Sequence, residues 1–177
     1  MAARLDLKAW AQFLNSFNGR VICLPNIYET SDALKLYSDA SGAAYAAVLG
    51  SKWIQGKFPK AWRETNIAIK ELLPIVLAVR LWGQSFANKR ILLFCDNLAI
   101  VHVINNQTSK ESSIMSLVRT LVTSSLSHNI LFLAKHIPGR HNIIADHLSR
   151  CQVDKALGVA PWLDKQPTPF PPEWLPW

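Results

Sequence analysis

The sequence predicts an α/β domain with a mixed five-stranded sheet, three strands antiparallel and two parallel, and helices on both faces. Three patterns predict it: strand-like alternation in the first third, a long apolar helical segment after it, and a short apolar run followed by helical segments and one more strand. The last pattern is typical of parallel strands joined by a right-handed crossover. The predicted order is therefore β-β-β-α-β-α-α-β-α.

An antiparallel meander opens the predicted sheet. Residues 34–39 alternate as a strand, the Ala-Ser-Gly turn at 40–42 follows, and residues 43–50 and 52–57 form two further strands. The next element, 66–86, is helical and apolar nearly all round, which predicts that it is buried.

Proline 74 lies inside this helix and should remove a hydrogen bond or introduce a kink. Beyond it the sequence predicts a strand covered on both faces at 91–95, helices at 97–105 and 111–127, a strand at 130–136 and a last helix at 142–150.

Both ends of the chain differ in composition from this central part. Residues 1–30 carry one helix, which Asp6 is expected to cap at its start and Gly19 at its end. Residues 31–152 form the main domain, and residues 153–177 form a tail that contains six of the ten prolines and three tryptophans. The apolar stripe of the first helix consists of Trp10, Phe13, Leu14 and Phe17.

Composition limits the classes of protein that this chain can represent. Half of the 177 residues are hydrophobic and 18% are charged, which suits one folded domain with appendages. The net charge of +7 suits a nucleic-acid partner, or simply a basic surface. The three cysteines lack disulfide or zinc spacing, so we expect an intracellular protein of the cytoplasm or nucleus. No run reaches the ~18 apolar residues of a membrane span, and no secretory signal is expected.

Four carboxylates stand at the edges of the apolar elements: Asp39, Glu71, Asp96 and Asp146. Three have simple structural alternatives. Asp39 could serve the turn that follows it, Asp96 could cap a helix, and Asp146 could pair with Arg150 four residues on. Glu71 is harder to explain in this way, because an ionised carboxylate in an apolar segment needs a cation or hydrogen-bond donors.

Considered together, the four carboxylates predict a metal site. The carboxyl ends of neighbouring strands meet at one edge of an α/β sheet, where functional sites are usually built. Acidic groups gathered there would repel one another without a cation. Hard oxygen ligands suit Mg²⁺ or Mn²⁺.

The motifs around these carboxylates resemble the type 1 ribonuclease H family over about residues 33–150. They are Tyr-Ser-Asp-Ala-Ser-Gly, Asn-Ile-Ala-Ile-Lys-Glu-Leu, Phe-Cys-Asp-Asn and His-Ile-Pro-Gly-Arg-His-Asn-Ile-Ile-Ala-Asp. The order Asp, Glu, Asp, Asp is that of the family. So is the histidine ten residues before the last aspartate, here His136 before Asp146, and the asparagine four before it, Asn142.

The resemblance implies an endonuclease that hydrolyses the RNA strand of RNA–DNA hybrids and leaves 5′-phosphate and 3′-hydroxyl ends. It implies two Mg²⁺ ions, with Mn²⁺ as a substitute. Asp39 would bridge both ions, Glu71 and Asp96 would complete one site, and Asp146 would help to hold the ion that carries the attacking water. His136 would assist by proton transfer.

The resemblance also implies substrate contacts. The backbone near Ala40 and Ser41 would meet RNA 2′-hydroxyls, which distinguish RNA from DNA. The alternative to substrate binding is that the side chains of these residues serve as ordinary helix caps and turn residues. The family usually has Asp-Gly where this chain has Asp39-Ala40, and threonine at the place of the phosphate-binding Asn66. The other expected substrate-binding residues are Asn105, Gln107 and Asn142.

A narrower resemblance concerns the origin of the chain. The phrases Trp-Ala-Gln-Phe-Leu-Asn-Ser-Phe-Asn-Gly, Leu-Pro-Ile-Val-Leu-Ala-Val-Arg-Leu-Trp-Gly and Ala-Lys-His-Ile-Pro-Gly resemble reverse transcriptases of tyrosine-recombinase retrotransposons, of the DIRS and Ngaro kind. This resemblance implies a polymerase domain in the same polyprotein, joined through residues 1–30.

Three other functions are compatible with the sequence. A non-catalytic binding or tethering module of the same fold would be recognised by loss of one or more carboxylates, and all four are present. A DNA nuclease or integrase of the same superfamily usually has a different order of acidic residues. A structural host protein derived from a retroelement would keep these motifs intact.

Overall fold

A mixed five-stranded sheet forms the centre of the computed structural model, which describes residues 2–17 and 23–177. The strand order is β3-β2-β1-β4-β5, with β1 antiparallel to β2, β2 antiparallel to β3, and both β1–β4 and β4–β5 parallel. The predicted fold class is confirmed. The strands are β1 Leu36–Ala40, β2 Ala44–Leu49, β3 Lys52–Lys57, β4 Arg90–Cys95 and β5 Leu131–His136.

Helices cover both faces of this sheet. Helices α2, α3 and α4 share one large apolar core with the sheet, whereas α5 and α6 pack on a smaller core on the opposite face. No helix of the described residues is long and apolar enough to cross a membrane. The helices are α1 Ala2–Ser16, α2 Ile67–Phe86, α3 Leu98–Asn106, α4 Ser112–Ser127, α5 Ile143–Ser149 and α6 Val153–Val159.

Strand β2 is buried along its whole length because both of its faces meet a helix layer. Tyr45 and Ala47 contribute to the larger core, and Ala46 and Val48 to the smaller one. Packing of the Tyr45 ring requires a glycine on the neighbouring strand, since a Cβ at Gly56 would lie 2.1 Å from the phenol oxygen.

Helix α2 continues from Ile67 to Phe86 through Pro74 without an interruption of the helix. The proline has no N–H to donate to the carbonyl of Lys70 one turn earlier, so that hydrogen bond is absent from the helix. Every residue from Ile69 to Val79 is buried, and packing against the sheet and α4 stabilises the helix in spite of the proline.

The expectation that Asp6 caps the first helix is wrong. Helix α1 begins at Ala2, four residues earlier, and Asp6 instead forms an ion pair with Arg119 of α4. The predicted C-terminal cap Gly19 lies outside the described residues. The predicted apolar stripe is only partly covered, since Trp10 and Leu14 remain 52% and 59% exposed.

The segment after residue 152 begins with a helix that the composition did not predict. Helix α6 packs its Ala156 and Leu157 on the smaller core. The chain then follows the free edge of β3, where Asp164 N donates to Ser51 O and Thr168 N donates to Trp53 O, at 2.8 and 2.7 Å. Covering the edge in this way protects backbone groups that would otherwise be open to pairing with another chain.

The last residues cross to the other face of the sheet. Trp174 and Leu175 pack against the larger core, and the Arg80 guanidinium lies 4.2 Å from the Trp174 ring centroid. Trp177 meets the rings of Phe58 and Trp62 edge-on. Residues 164–177 thus pack as part of the domain.

Trp174→Ala should lower the free energy of unfolding by about 2 kcal/mol, because it removes buried apolar area and the contact with Arg80. Trp162→Ala is the matched control: that ring is 60% exposed, and its loss should change stability by less than about 0.5 kcal/mol. Urea unfolding followed by circular dichroism measures both. Equal effects of the two substitutions would contradict this account of the tail.

Candidate active site

Four carboxylates converge at the carboxyl edge of the parallel strands. Asp39 lies near the end of β1 and Asp96 follows β4 directly; Tyr37 pairs with Phe94, and this register brings the two aspartates to the same edge. Glu71 approaches from α2, and Asp146 approaches from α5 on the opposite face.

Glu71 is the most constrained of the four. Its side chain is only 6% exposed, and its Oε2 atom is buried without a hydrogen-bond partner. Burial and the nearby charges of Asp39 and Asp96 raise the pKa of Glu71 to about 9, against a smaller effect of the Ala40 backbone. This buried oxygen is left with room for a partner, and a cation is one group that could supply the missing interaction.

The donor atoms beside Glu71 fit a hard divalent cation. Within the described residues, one ligand atom each from Glu71, Cys95 and Asp96 lie within 4.8 Å of one another. Burial is the main cause that raises the pKa of the Cys95 thiol to about 12, so this sulfur stays neutral and is a poor ligand for Mg²⁺. The oxygens of Glu71 and Asp96 are the ligands that suit Mg²⁺ or Mn²⁺.

Asp39 is also buried, with 5% of its surface exposed. Burial and the charges of Asp96 and Asp146 raise the pKa of Asp39 to about 6, while a hydrogen bond from the Ser149 hydroxyl and the charge of Arg150 oppose this rise. Asp39 does not join the 4.8 Å group around Glu71 among the described residues, but its charge contributes to the raised pKa of Glu71.

Asp146 faces the other carboxylates from the first turn of α5 and is half-buried. The Arg150 Nε atom donates to its Oδ1 atom at 2.7 Å, so the pairing suggested by their spacing is present. The two residues Ser149 and Arg150 therefore hold two different carboxylates, Asp39 and Asp146, from the end of one short helix.

The structural alternatives for Asp39 and Asp96 are wrong. The turn after β1 is held by Ser41, whose Oγ atom accepts from Ala43 N and Ala44 N, and Asp39 takes no part in it. Helix α3 is capped by Asn97, whose Oδ1 atom accepts from two backbone N–H groups, so Asp96 does not cap this helix.

His136 lies at the end of β5, next to Asp96. Its Nε2 atom is 3.1 Å from Asp96 O, and because a carbonyl only accepts, Nε2–H is the donor of this hydrogen bond. The following loop passes close to the same carboxylate, since a Cβ at Gly139 would lie 3.2 Å from Asp96 Oδ2. A larger residue at 139 would crowd the site.

Most of the expected substrate-binding side chains make internal hydrogen bonds. Asn66 caps α2 and donates to Glu111, and the Asn105 amide forms two bonds to the backbone of Ala134 on edge strand β5. Buried Asn142 donates to Ser38 O and so fixes the start of α5 on β1.

The remaining expected contacts differ in exposure. Gln107 lies at the C-terminal end of α3 with left-handed backbone angles, and its side chain is exposed. The Ser41 hydroxyl is hydrogen-bonded within the turn after β1. Only the backbone of Ala40 and Ser41 is therefore left for contact with a ligand. The assignment of all six residues to substrate binding stays a prediction.

Two site residues escaped the sequence analysis, Ser149 and Lys70. Lys70 is 3% exposed and donates to Gly42 O and Arg63 O, so it joins two loops beside the site to α2. The sequence feature that could have identified Lys70 is its position next to Glu71 in a helix predicted to be buried. For Ser149 the signal was its place three residues after Asp146, on a neighbouring part of the helix surface.

Solved structures with a similar fold come from the RNase H1 group. The chain superposes on LC11-RNase H1 in complex with an RNA/DNA hybrid with a TM-score of 0.56, at 18% identity over 70% of this chain and 98% of that one. The fold is that of ribonuclease H. The N-terminal RNase H domain of a Mycobacterium tuberculosis protein, solved as a fusion with maltose-binding protein, gives 0.55 at 13% identity over 72% and 99% of the two chains.

A second structure of LC11-RNase H1, isolated from compost by a metagenomic approach, gives a TM-score of 0.50 at 20% identity, over 72% of this chain and 99% of that one. No protein-family profile matches the sequence, and no curated protein matches it. At this level of identity the similarity establishes the fold, and the activity has to be argued from the site.

Glu71→Gln should stabilise the metal-free protein at pH 8 and change its stability little at pH 4. Folding raises the pKa of Glu71 from 4.5 to about 9. Between these values the folded protein binds more protons than the unfolded chain, so the free energy of unfolding falls as pH rises. Glutamine has no carboxyl group to ionise, so the Glu71→Gln protein does not lose this stability as the pH rises.

We expect a gain of about 1 kcal/mol or more at pH 8, which is about 2–4 °C in Tm for a chain of this size. Thermal unfolding in EDTA at both pH values measures it, with the exposed-site variant Asp154→Asn as control. A Glu71→Gln protein that is less stable than the wild type at pH 8 would show that the carboxylate is satisfied without metal.

Proposed function

We propose that this protein is a ribonuclease H, a divalent-metal-dependent endonuclease that cuts the RNA strand of RNA–DNA hybrids and leaves 5′-phosphate and 3′-hydroxyl ends. The observation that carries the proposal is the convergence of Asp39, Glu71, Asp96 and Asp146 at one sheet edge, with a buried Glu71 oxygen that lacks a partner. The similarity of the fold to an RNase H1 that is bound to an RNA/DNA hybrid supports the choice of substrate.

The four carboxylates would hold two Mg²⁺ ions, for which Mn²⁺ can substitute. When bound, such ions make a water molecule nucleophilic for in-line attack at phosphorus and stabilise the leaving 3′ oxygen. The protein supplies the ligand oxygens and a site in which two of the four carboxylates are kept from bulk water.

His136 would move a proton at the edge of the site. The Nε2–H group donates a hydrogen bond to the Asp96 carbonyl. The other ring nitrogen, Nδ1, would therefore take up or deliver the proton during water activation or product release.

We also propose that the domain acts within a retroelement reverse transcriptase, in the cytoplasm or nucleus. The support for this is the similarity of three sequence phrases to DIRS and Ngaro elements. The polymerase domain of the same polyprotein would then present the hybrid, and the net charge of +7 suits that polyanion.

Asp96→Asn should abolish Mg²⁺-dependent cleavage of a hybrid, with a loss of at least about 10³-fold, because it removes a ligand charge from the site. End-labelled hybrid, duplex DNA and duplex RNA are compared in Mg²⁺ and Mn²⁺. The wild type should cut only RNA in the hybrid, and the exposed-site control Asp154→Asn should match it. If the folded wild type binds hybrid but leaves it uncut in Mn²⁺, the domain is a binding module instead.

His136→Ala should lower kcat about 10²- to 10⁴-fold and leave the Mg²⁺ concentration for half-maximal activity unchanged, because the histidine moves a proton and holds no metal. His102→Ala is the matched control, since His102 is also exposed but lies on α3. A shift in metal requirement with unchanged kcat would assign His136 to metal binding.

A further inference from the structure

We infer that Ser149 is a positioning residue for metal binding, whose hydroxyl fixes the Asp39 carboxylate and whose carbonyl ties the turn after β1 to α5. The inference rests on the proposed function, because it names the residue that orders one of the metal-binding carboxylates and the helix that carries another. In this role Ser149 acts through Asp39 and α5, since its hydroxyl contacts the Asp39 carboxylate.

The hydroxyl of Ser149 is completely buried and has two acceptors within reach. They are the Asp39 carboxylate and, at 2.9 Å, the carbonyl of Asp146 one turn earlier in α5. A hydroxyl has only one proton, and an ionised carboxylate is a stronger acceptor than a peptide carbonyl. The hydroxyl therefore donates to Asp39 and fixes the direction in which that carboxylate points.

The backbone carbonyl of Ser149 makes a second link. The Ser41 Oγ atom donates to it at 2.7 Å, and the same Oγ accepts from Ala43 N and Ala44 N at 3.1 and 2.9 Å. One residue earlier, the Leu148 carbonyl accepts from the Gln55 side chain of β3. The end of α5 is thus bonded to β1, to the turn after it and to β3.

Charge explains why a neutral donor is needed at this place. The ionisable neighbours Asp96 and Asp146 repel the Asp39 charge, and Arg150, whose positive charge acts on Asp39, is paired with Asp146 at 2.7 Å. Among the hydrogen bonds of residues 2–17 and 23–177, only the Ser149 side chain donates to the Asp39 carboxylate. Without that donor, repulsion would turn the carboxylate away from the other ligands.

Hydrogen-bonded residues behind metal ligands typically change metal affinity about 10- to 100-fold when they are removed. Ser149→Ala should therefore raise the Kd for Mn²⁺ about tenfold, and Ser149→Thr, which keeps the hydroxyl, should stay within about threefold of the wild type. The control is Ser125→Ala on α4, where the serine hydroxyl also bonds a backbone carbonyl one turn earlier.

Isothermal titration of residues 1–177 of each variant, free of metal, with MnCl₂ measures these affinities without any need for cleavage. Thermal unfolding in EDTA runs in parallel, and hybrid cleavage against Mg²⁺ concentration should show the same tenfold shift in half-activation. Ser149→Cys keeps the volume but donates weakly, so it gives the same test should Ser149→Ala fail to fold.

Unchanged Mn²⁺ affinity in a folded Ser149→Ala or Ser149→Cys protein would overturn the inference, even if stability fell, because the role would then be structural only. Absence of Mn²⁺ binding by the wild type at millimolar concentration would overturn it as well. Weakened Mn²⁺ binding in Ser149→Ala, together with a wild type that cuts no hybrid, would support the positioning role and refute the proposed nuclease.

Discussion

Mutual repulsion among carboxylates that the fold removes from water is the constraint on which the rest of the site depends. Asp39 and Glu71 are 5% and 6% exposed, and burial, together with the charges of neighbouring acids, raises their pKa values to about 6 and about 9. A protein that only had to be stable would not keep such a pair, since each buried charge costs several kcal/mol without a counter-charge. The divalent cation of the proposed function would reverse the sign of that interaction.

The architecture supplies what this unfavourable cluster needs. Parallel pairing of β1 with β4 brings Asp39 and Asp96 to one edge, and the apolar helix α2 carries Glu71 to the same place. The second helix layer adds donors from the end of α5, where Ser149 bonds Asp39 and Arg150 bonds Asp146. Packing on both faces of the sheet therefore fixes ligands that would separate if they were free to move.

Sequence patterns were sufficient for the sheet and for the location of the acids, because strand alternation, apolar helical runs and the meeting of parallel strand ends follow from local rules. They were insufficient for hydrogen bonds between distant residues. Ser149 and Asp39 are 110 positions apart, and the Asn105 amide pairs with the backbone of β5, which no local pattern indicates. Helix α6 was missed because proline and tryptophan dominate the composition after residue 152, although Val153, Ala156, Leu157 and Ala160 have helical spacing.

Anomalous scattering from crystals of the wild-type protein soaked in MnCl₂ tests the central claim most directly. The account predicts manganese density bounded by the carboxylates of Asp39, Glu71 and Asp96, with the Cys95 sulfur outside the ligand set. Density at that place should disappear in Asp96→Asn crystals soaked in the same way. Crystals with no manganese between these carboxylates, or with manganese bound only at other acidic groups, would contradict the claim that this edge of the sheet is built around divalent cations.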